Sequence, residues 1–448
     1  MNICSKFKYL FAVIYFTCAV YNYASAIQPD SLSIRDDEFV RIDSIKVTGN
    51  ETTQEYIIMR ELTFKVGETV SGKTLRFNRE RVYSLRLFNH VNFQMEEEAN
   101  LNKLIIDVSE TWYIYPIPLL HFQNGDYSKS TYGVNIVYKN FRGRNETLRA
   151  AVGLGYDPFY SLAYDNPALD YKSGLGFSFM IFNGNISNKS TNAITIAGED
   201  YSNKMILQNL IVSKRFDQFN LGYFSLGYNY IETPFARYGI TASGNRIDRN
   251  IYAGLGYYYD SRDLKQYSES GLYAFTSFTY NGIFNEKINY NIFEIDFREY
   301  RNIVGNLSGK WRINYRKTFG GVVPYYDYSF LGYTNRVRGH FNDIREGKNY
   351  LLTSLELSYP VVREFDFSLK LPLIPEQLTS ARIGIYLTSF YDTGDAFDNE
   401  SSLSLKNMYY GYGFGVTFLI LPYYALRFEY AFNGTSKGEF IIATGFSF

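Results

Sequence analysis

The sequence predicts a mainly β chain: a transmembrane antiparallel β-barrel of about 16 strands, preceded by one small N-terminal α+β domain. Three observations carry this prediction. The first is aromatic content, with 44 Tyr and 37 Phe beside 2 Trp, 6 Met and 11 Pro in 448 residues. A soluble protein would need an oversized core to hide so many rings, whereas a barrel uses them toward lipid and in girdles at both membrane interfaces. The second is period-2 alternation from position 112 onward, in runs of about 8–12 residues separated by Gly, Asn, Asp and Ser clusters. The third is a mean hydropathy of only −0.23, the value expected where polar lumen residues alternate with lipid-facing ones and cancel them. Lys plus Arg and Asp plus Glu number 45 each, so no net charge points to nucleic acid or to acidic substrates.

Residues 1–26 read as an export signal. Lys6 and Lys8 form a positive start, residues 9–20 an apolar stretch, and Ala24-Ser25-Ala26 a small-residue cleavage site. The apolar stretch is shorter than the roughly 20 residues a spanning helix needs, and no later segment qualifies. Cys4 and Cys18 both fall within residues 1–26, so cleavage after Ala26 leaves no thiol for disulfides, zinc sites or nucleophilic chemistry. A lipoprotein site at Cys18 is the competing reading, disfavoured by the bulky Tyr15-Phe16-Thr17 before it. Residues 27–40 are read as a linker.

The α+β domain is expected at 41–110. A strand at 41–47 ends at Gly49-Asn50, and Thr52-Thr53 is placed at a helix N-cap. A second helix is expected over 73–87, with Leu75, Val82 and Leu85 on one face. Two alternating strands follow, one with Val91, Phe93 and Met95 on a face, the other with Leu104, Ile106 and Val108. The order is strand, helix, helix, strand, strand.

The barrel is expected over 111–448. Its strands should start near Trp112, Ser130, Glu146, Phe159, Ser173, Asn203, Gln218, Ile247, Gly271, Asn289, Asn306, Asn349, Ser380, Met408, Tyr423 and Gly438. That is an even number, as single-chain bacterial barrels require; residues 181–202 parse poorly, leaving about 14–18 strands open. A β-sandwich also alternates, but these segments match the roughly 9–11 residues needed to cross a bilayer with tilt. Phe293, Ile295 and Phe297 oppose Glu294, Asp296 and Arg298, and Leu426, Phe428 and Tyr430 oppose Arg427 and Glu429. Leu355 and Leu357 toward lipid put Glu356 in the lumen; Ile383, Ile385 and Leu387 facing out put Asp392 in. The long stretch at 319–348 is then an external loop; by pattern alone its Arg338 is either a solvated loop residue beside ordinary lumen acids or, with the loop folded back into the lumen, lies between those two carboxylates.

Several segments resemble one family, in its order. They are Ile45-Lys46-Val47-Thr48-Gly49-Asn50, Asn140-Phe141-Arg142-Gly143, Tyr259-Asp260-Ser261-Arg262-Asp263, Val337-Arg338-Gly339-His340, the strand Ser354-Leu355-Glu356-Leu357-Ser358-Tyr359-Pro360, and Tyr391-Asp392-Thr393-Gly394. They resemble the outer-membrane insertase and translocase superfamily (the BamA/TamA family, or bacterial surface antigen family), and 41–110 resembles its periplasmic module, the POTRA domain. The resemblance implies a Gram-negative outer-membrane barrel with the POTRA-like domain in the periplasm. It implies a loop–lumen lock in which Arg338, turned by Gly339, is held by Glu356 and Asp392, and a periplasmic turn motif at Asp260, Arg262 and Asp263. Phe446 and Phe448 resemble the terminal signal for barrel assembly, with Ala443 standing where Gly is usual. His340 departs from the usual aromatic of its motif.

Chemistry of other kinds is not indicated. There is no G-x-S-x-G, no phosphate loop, and His90, His121 and His340 are dispersed without metal-ligand spacing; His90 and His121 read as surface residues. No cofactor, metal or enzymatic activity is expected. Expected partners are outer-membrane lipids, unfolded or secreted client proteins and a periplasmic partner at the POTRA-like domain, with no nucleic acid. The leading expectation is an assembly or translocation factor, using strand addition at a small-domain edge (90–96) and a weak seam between the first strand (112–122) and the last (438–448). Pro116 and Pro118 in the first strand cannot donate to a ladder. A dedicated two-partner-type secretion pore and a passive or structural barrel are the alternatives.

Overall fold

The computed structural model of the chain describes residues 32, 34–123, 126–332, 335–341, 343–399, 403–404, 406–434 and 438–447, with the backbone of 24–27. The small domain comprises β1 (Ser44–Thr48), α1 (Glu55–Met59), α2 (Gly72–Tyr83), β2 (Phe88–Glu98) and β3 (Leu101–Glu110), in the predicted order. β3 is central, parallel to β1 and antiparallel to β2, so β2 is a sheet edge. Leu75 and Val82 of α2 pack on Val91, Phe93, Leu104, Ile106 and Val108, the faces the alternation indicates.

Both helix boundaries differ from expectation. α1 begins after Gln54 with no side-chain cap, because Thr53 and its neighbour serve another partner. The Glu110 carboxylate accepts the Thr52 and Thr53 amides at 3.1 and 2.6 Å, pinning the start of α1 to the end of β3. α2 is capped by Ser71, whose hydroxyl accepts the Thr74 amide. It stops at Tyr83 rather than 87, and Arg86 takes a left-handed φ of 59° that turns the chain into β2.

Sixteen barrel strands follow among the described residues. In order they are β4 (Ile114–Phe122), β5 (Ser130–Phe141), β6 (Glu146–Gly155), β7 (Phe159–Asp170), β8 (Leu175–Ser187), β9 (Ser202–Arg215), β10 (Asn220–Glu232) and β11 (Ile247–Asp260). Then come β12 (Gly271–Ile283), β13 (Tyr290–Val304), β14 (Leu307–Gly320), β15 (Asn349–Leu369), β16 (Ser380–Phe397), β17 (Tyr409–Leu421), β18 (Tyr424–Asn433) and β19 (Gly438–Thr444). The stretch at 181–202 that resists reading by pattern is the end of β8, a short helix at Thr191–Ala197, and the entry to β9.

Consecutive strands pair antiparallel from β4 through β19. β19 and β4 are neighbours in sheet order, which closes the barrel. Parity follows the prediction: Leu355 and Leu387 are each 50% exposed on the outer face, while Glu356 and Asp392 are 2% and 1% exposed inside. The external segment between β14 and β15 carries a two-stranded ribbon, Ser329–Leu331 with Arg345–Gly347.

The last strand needs correction. Expected to run through 448, β19 ends at Thr444, where Gly445 adopts a left-handed φ of 95°. That conformation is open to glycine at little cost, and it turns the following residues off the barrel wall. Phe446 therefore does not share the lipid face of Phe440 and Ile442, which are 64% and 62% exposed; it packs against the small-domain core. Phe448 lies outside the described residues.

Candidate functional site

The external loop descends into the lumen and places Arg338 among carboxylates from three strands. Its Nε and Nη2 donate to the two oxygens of Asp392 at 2.6 and 2.8 Å, a two-pronged fork. Nη1 donates to Glu356 at 2.9 Å and to Glu429 at 3.0 Å. The guanidinium also lies 3.6 Å from the centroid of the Phe390 ring. Arg338 is 6% exposed and Glu429 2%, so these are charges removed from water, tolerable only when fully paired. The pairing extends outward: Lys310 of β14 reaches Glu356 at 2.9 Å and Arg427 of β18 reaches Glu429 at 2.9 Å. Three cations thus balance three anions in one connected cluster.

The structure brings Arg338, Glu356 and Asp392 together; the sequence puts Glu429 on the lumen face, but not in this cluster. Its reach depends on β17, which lies between β16 and β18. Across β17, Asp392 faces Gly411, Phe390 faces Gly413, and Gly415 faces Glu429. A Cβ at Gly411 would stand 1.7 Å from the Arg338 carbonyl oxygen, and one at Gly415 would stand 2.9 Å from the Glu429 side chain. The Gly-x-Gly-x-Gly of β17 is therefore a trough that lets the loop seat and lets Glu429 lean across; alternating glycines within a strand were the available signal. Gly339 takes a left-handed φ of 95°, as the turn requires. His340 stacks on Tyr409 with centroids 4.1 Å apart.

Gly411→Ala should unseat the loop without touching a charge. Because the clash is with backbone, the expected result is higher reactivity of a thiol-labelled loop residue and a higher resting conductance, as in a variant lacking Arg338. Wild-type behaviour of both would show that the loop has room to spare.

The segment after β19 joins this cluster to the periplasmic end. Lys310 Nζ donates to Ser447 Oγ at 2.6 Å, and Ser447 Oγ donates to Glu356 at 3.2 Å. Arg427 Nε donates to the Gly445 carbonyl, and the Arg86 guanidinium of the small domain lies 5.5 Å from the Phe446 ring.

The small domain itself is docked in the periplasmic mouth. Glu61, 4% exposed, accepts Arg81 of its own domain at 3.1 Å and Arg215 at the end of β9 at 2.6 Å. Burial alone would raise the Glu61 carboxyl, but the Arg215 and Arg81 guanidiniums hold it down at about 2. Glu80 of α2 meets Arg382 at 2.7 Å, and His90 Nδ1 lies 3.1 Å from Asp366 of β15. His90 is thus an interface residue rather than a surface one; His121 is exposed.

The turn motif serves the same docking and is separate from the lock. Arg262 forks onto Asp260 at 2.8 and 3.0 Å. Asp263 accepts the Leu264 and Ser270 amides, holding a turn whose Leu264 and Tyr267 enter the small-domain core. Burial pushes the Asp263 carboxyl up to about 7, against its hydrogen bonds from Leu264 and Ser270. The predicted first turn closes the opposite side: Asn140 donates to Thr53, and Gly143 lies so close to Thr52 that a Cβ would stand 2.0 Å from its carbonyl oxygen. Glu294 and Asp296, a carboxylate pair on one lumen face, are taken up by arginines, Asp296 by Arg298 and Arg312 and Glu294 by Arg316.

The Omp85 superfamily domain matches residues 140–448, and the POTRA module (surface antigen variable number repeat) matches residues 40–111. Among solved structures, the chain is similar to BamA from Haemophilus ducreyi lacking POTRA domains 1–3, at 16% identity over 95% of this chain and 89% of that one, with a TM-score of 0.52. It is also similar to CdiB from Escherichia coli, at 11% identity over 95% of this chain and 78% of that one, with a TM-score of 0.54. No curated protein matches the sequence. At such identities the structural likenesses bear on the fold alone, whereas the Omp85 match spans more than half of the chain. The chain belongs to the Omp85 superfamily, of the BamA/TamA type: an outer-membrane β-barrel behind a POTRA domain, built for protein insertion or translocation.

Proposed function

We propose that this protein inserts client β-strands into the outer membrane through the seam between β4 and β19, and that the structure corresponds to its closed resting state. The observation that carries the reading is the make-up of that seam: β19 has seven residues, and its sheet neighbour β4 carries Pro116 and Pro118 among nine. Backbone groups left unpaired in lipid are costly, so when such a seam opens a client strand that satisfies them is drawn to this position. Pro116 and Pro118 weaken β4 as a ladder partner, and the seven residues of β19 are too few to zip a whole strand. The lock above and the docked POTRA domain below keep the lumen closed meanwhile. The β2 edge receives clients from the periplasm, by backbone pairing with little sequence demand.

A dedicated secretion pore would use the lumen instead of the seam, and one experiment separates the two. With the signal removed after Ala26 no native thiol remains, so cysteine pairs screened across 117–120 and 440–442 report on the seam alone. Oxidation is expected to abolish assembly of a barrel client in proteoliposomes, read by protease protection, and to leave lumen conductance unchanged. Continued client assembly with the seam covalently closed would sink the insertase reading and favour passage through the lumen.

A further inference from the structure

β15 and β16 are 21 and 18 residues long, while the other barrel strands run from 7 to 15. β14 covers the edge of β15 only as far as Ser358, which pairs with Ser308. Beyond it, residues 359–369 continue below the rim, paired on their other side with β16 through two register shifts around Val362 and then regularly from Phe365 to Ser368 opposite Ser380. This is a sheet edge of roughly 35 Å at about 3.3 Å per residue. It is held rigid from inside by the POTRA domain, since Arg382 bonds Glu80 and sits 4.0 Å over the Tyr83 ring, while Asp366 meets His90.

The edge already accepts a strand. Ala24–Ile27 pairs antiparallel with it, Ala24 opposite Leu369 and Ile27 opposite Asp366. Those residues straddle the expected cleavage site after Ala26, so processing removes three of the four paired positions. No other register lies along 359–369 on that side among the described residues. We infer that in the processed protein this edge is a docking strand for an extended, amphipathic client segment arriving from the periplasm.

The chemistry of the occupant follows from the two faces it must continue. The outward row is apolar over its lower part, with Phe365, Phe367 and Leu369 beside Ile383 and Ile385, and carries one charge, Arg363, nearer the membrane; the inward row is polar and buried, with Asp366 and Ser368 beside Ser380 and Arg382. An added strand joins both rows only if apolar and small or polar residues alternate along it, which is the pattern of an unfolded outer-membrane strand. Pairing in the direction of Ala24–Ile27 runs such a strand from the hairpin tip toward the membrane, ending at the β13–β14 turn, where Ile303 and Val304 are 55% and 70% exposed. The site is thus a guide delivering alternating strands to the lipid boundary. It rests on the reading of the protein as a handler of outer-membrane clients.

The test is amide hydrogen exchange on the processed protein in nanodiscs, with a synthetic peptide of the Tyr424–Asn433 sequence as the probe. The expected result is slowed exchange across 359–369, absent with a peptide of the same composition whose apolar residues are clustered, and absent with a backbone N-methylated copy. Phe367→Glu, which charges the outward row, is expected to weaken peptide binding about tenfold while exchange in β14 and in β16–β19 stays as in the wild type. Protection confined to β2, with 359–369 unchanged, would overturn this docking strand and leave the insertase reading standing. Equal protection by the clustered peptide would overturn the assignment of an amphipathic client. A failure of the insertase reading shows separately, in the seam-oxidation experiment.

Discussion

Arg338→Ala is expected to release the external loop and raise the resting conductance of the barrel in planar bilayers. The substitution removes four donated side-chain hydrogen bonds at once and leaves Asp392, Glu356 and Glu429 facing one another without their shared cation. Breaking a buried pair by deleting one partner costs about 3–5 kcal/mol, and here one guanidinium serves three acids. Lys310 and Arg427 remain to neutralise Glu356 and Glu429, so Asp392 is the carboxylate left most exposed to the loss. Arg338→Lys keeps the charge but not the fork, and its conductance should lie between wild type and Ala. Restoration by Asp392→Asn in the Ala background would show that the stranded charge, rather than lost packing on Phe390, drives the opening. Unchanged conductance and unchanged loop labelling in Arg338→Ala would remove the lock from the mechanism.

The second large effect is expected at the periplasmic mouth. Glu61→Gln leaves Arg81, fully buried at its side chain, and Arg215 without their carboxylate. A cost of about 3–5 kcal/mol shifts the docked-to-released balance of the POTRA domain by roughly a hundredfold or more. Faster exchange at Leu264 and Tyr267, which enter the domain core, would report release, with protease nicking of 111–113 as an independent sign. The same contact has a pH dependence whose sign follows from the shift. Glu61 sits at about 2 when docked, below its ordinary 4.5, so its contribution is fully present above about 4.5 and is lost as pH falls toward 2. Asp263 acts in the opposite sense: raised from 3.8 to about 7, it favours docking at low pH and loses that contribution as pH rises from about 4 to 7. Docking is therefore expected to be tightest at about pH 4 and to weaken from there to pH 7. Exchange at Leu264 that falls steadily from pH 5 to pH 8 would contradict this pairing of roles.

How far the sequence was legible depended on the range of the interaction. Alternation reported which face each strand residue occupies, because side chains in a strand point to opposite sides whatever the rest of the molecule does. Glu356 and Asp392 were read as lumen residues for that reason. Ends of elements were less legible. The start of α1 was assigned to a Thr cap, but Glu110, 57 residues away, takes that Thr53 amide. The lipid-facing pattern of 440–448 continues unbroken in the sequence, and only Gly445 hints that the chain leaves the wall there.

The amino-acid sequence by itself determined the barrel, the small domain ahead of it, the inward side of each strand and three members of the Arg338 cluster, since all of these follow from local periodicity and motif order. Only the tertiary structure decided that Glu429 joins them, that the POTRA domain seats in the mouth, and that residues 359–369 form an edge beyond β14. Each of these depends on how neighbouring strands are offset and on what a glycine row leaves room for. Register and offset are properties of pairs of strands, so they become fixed only when the sheet closes.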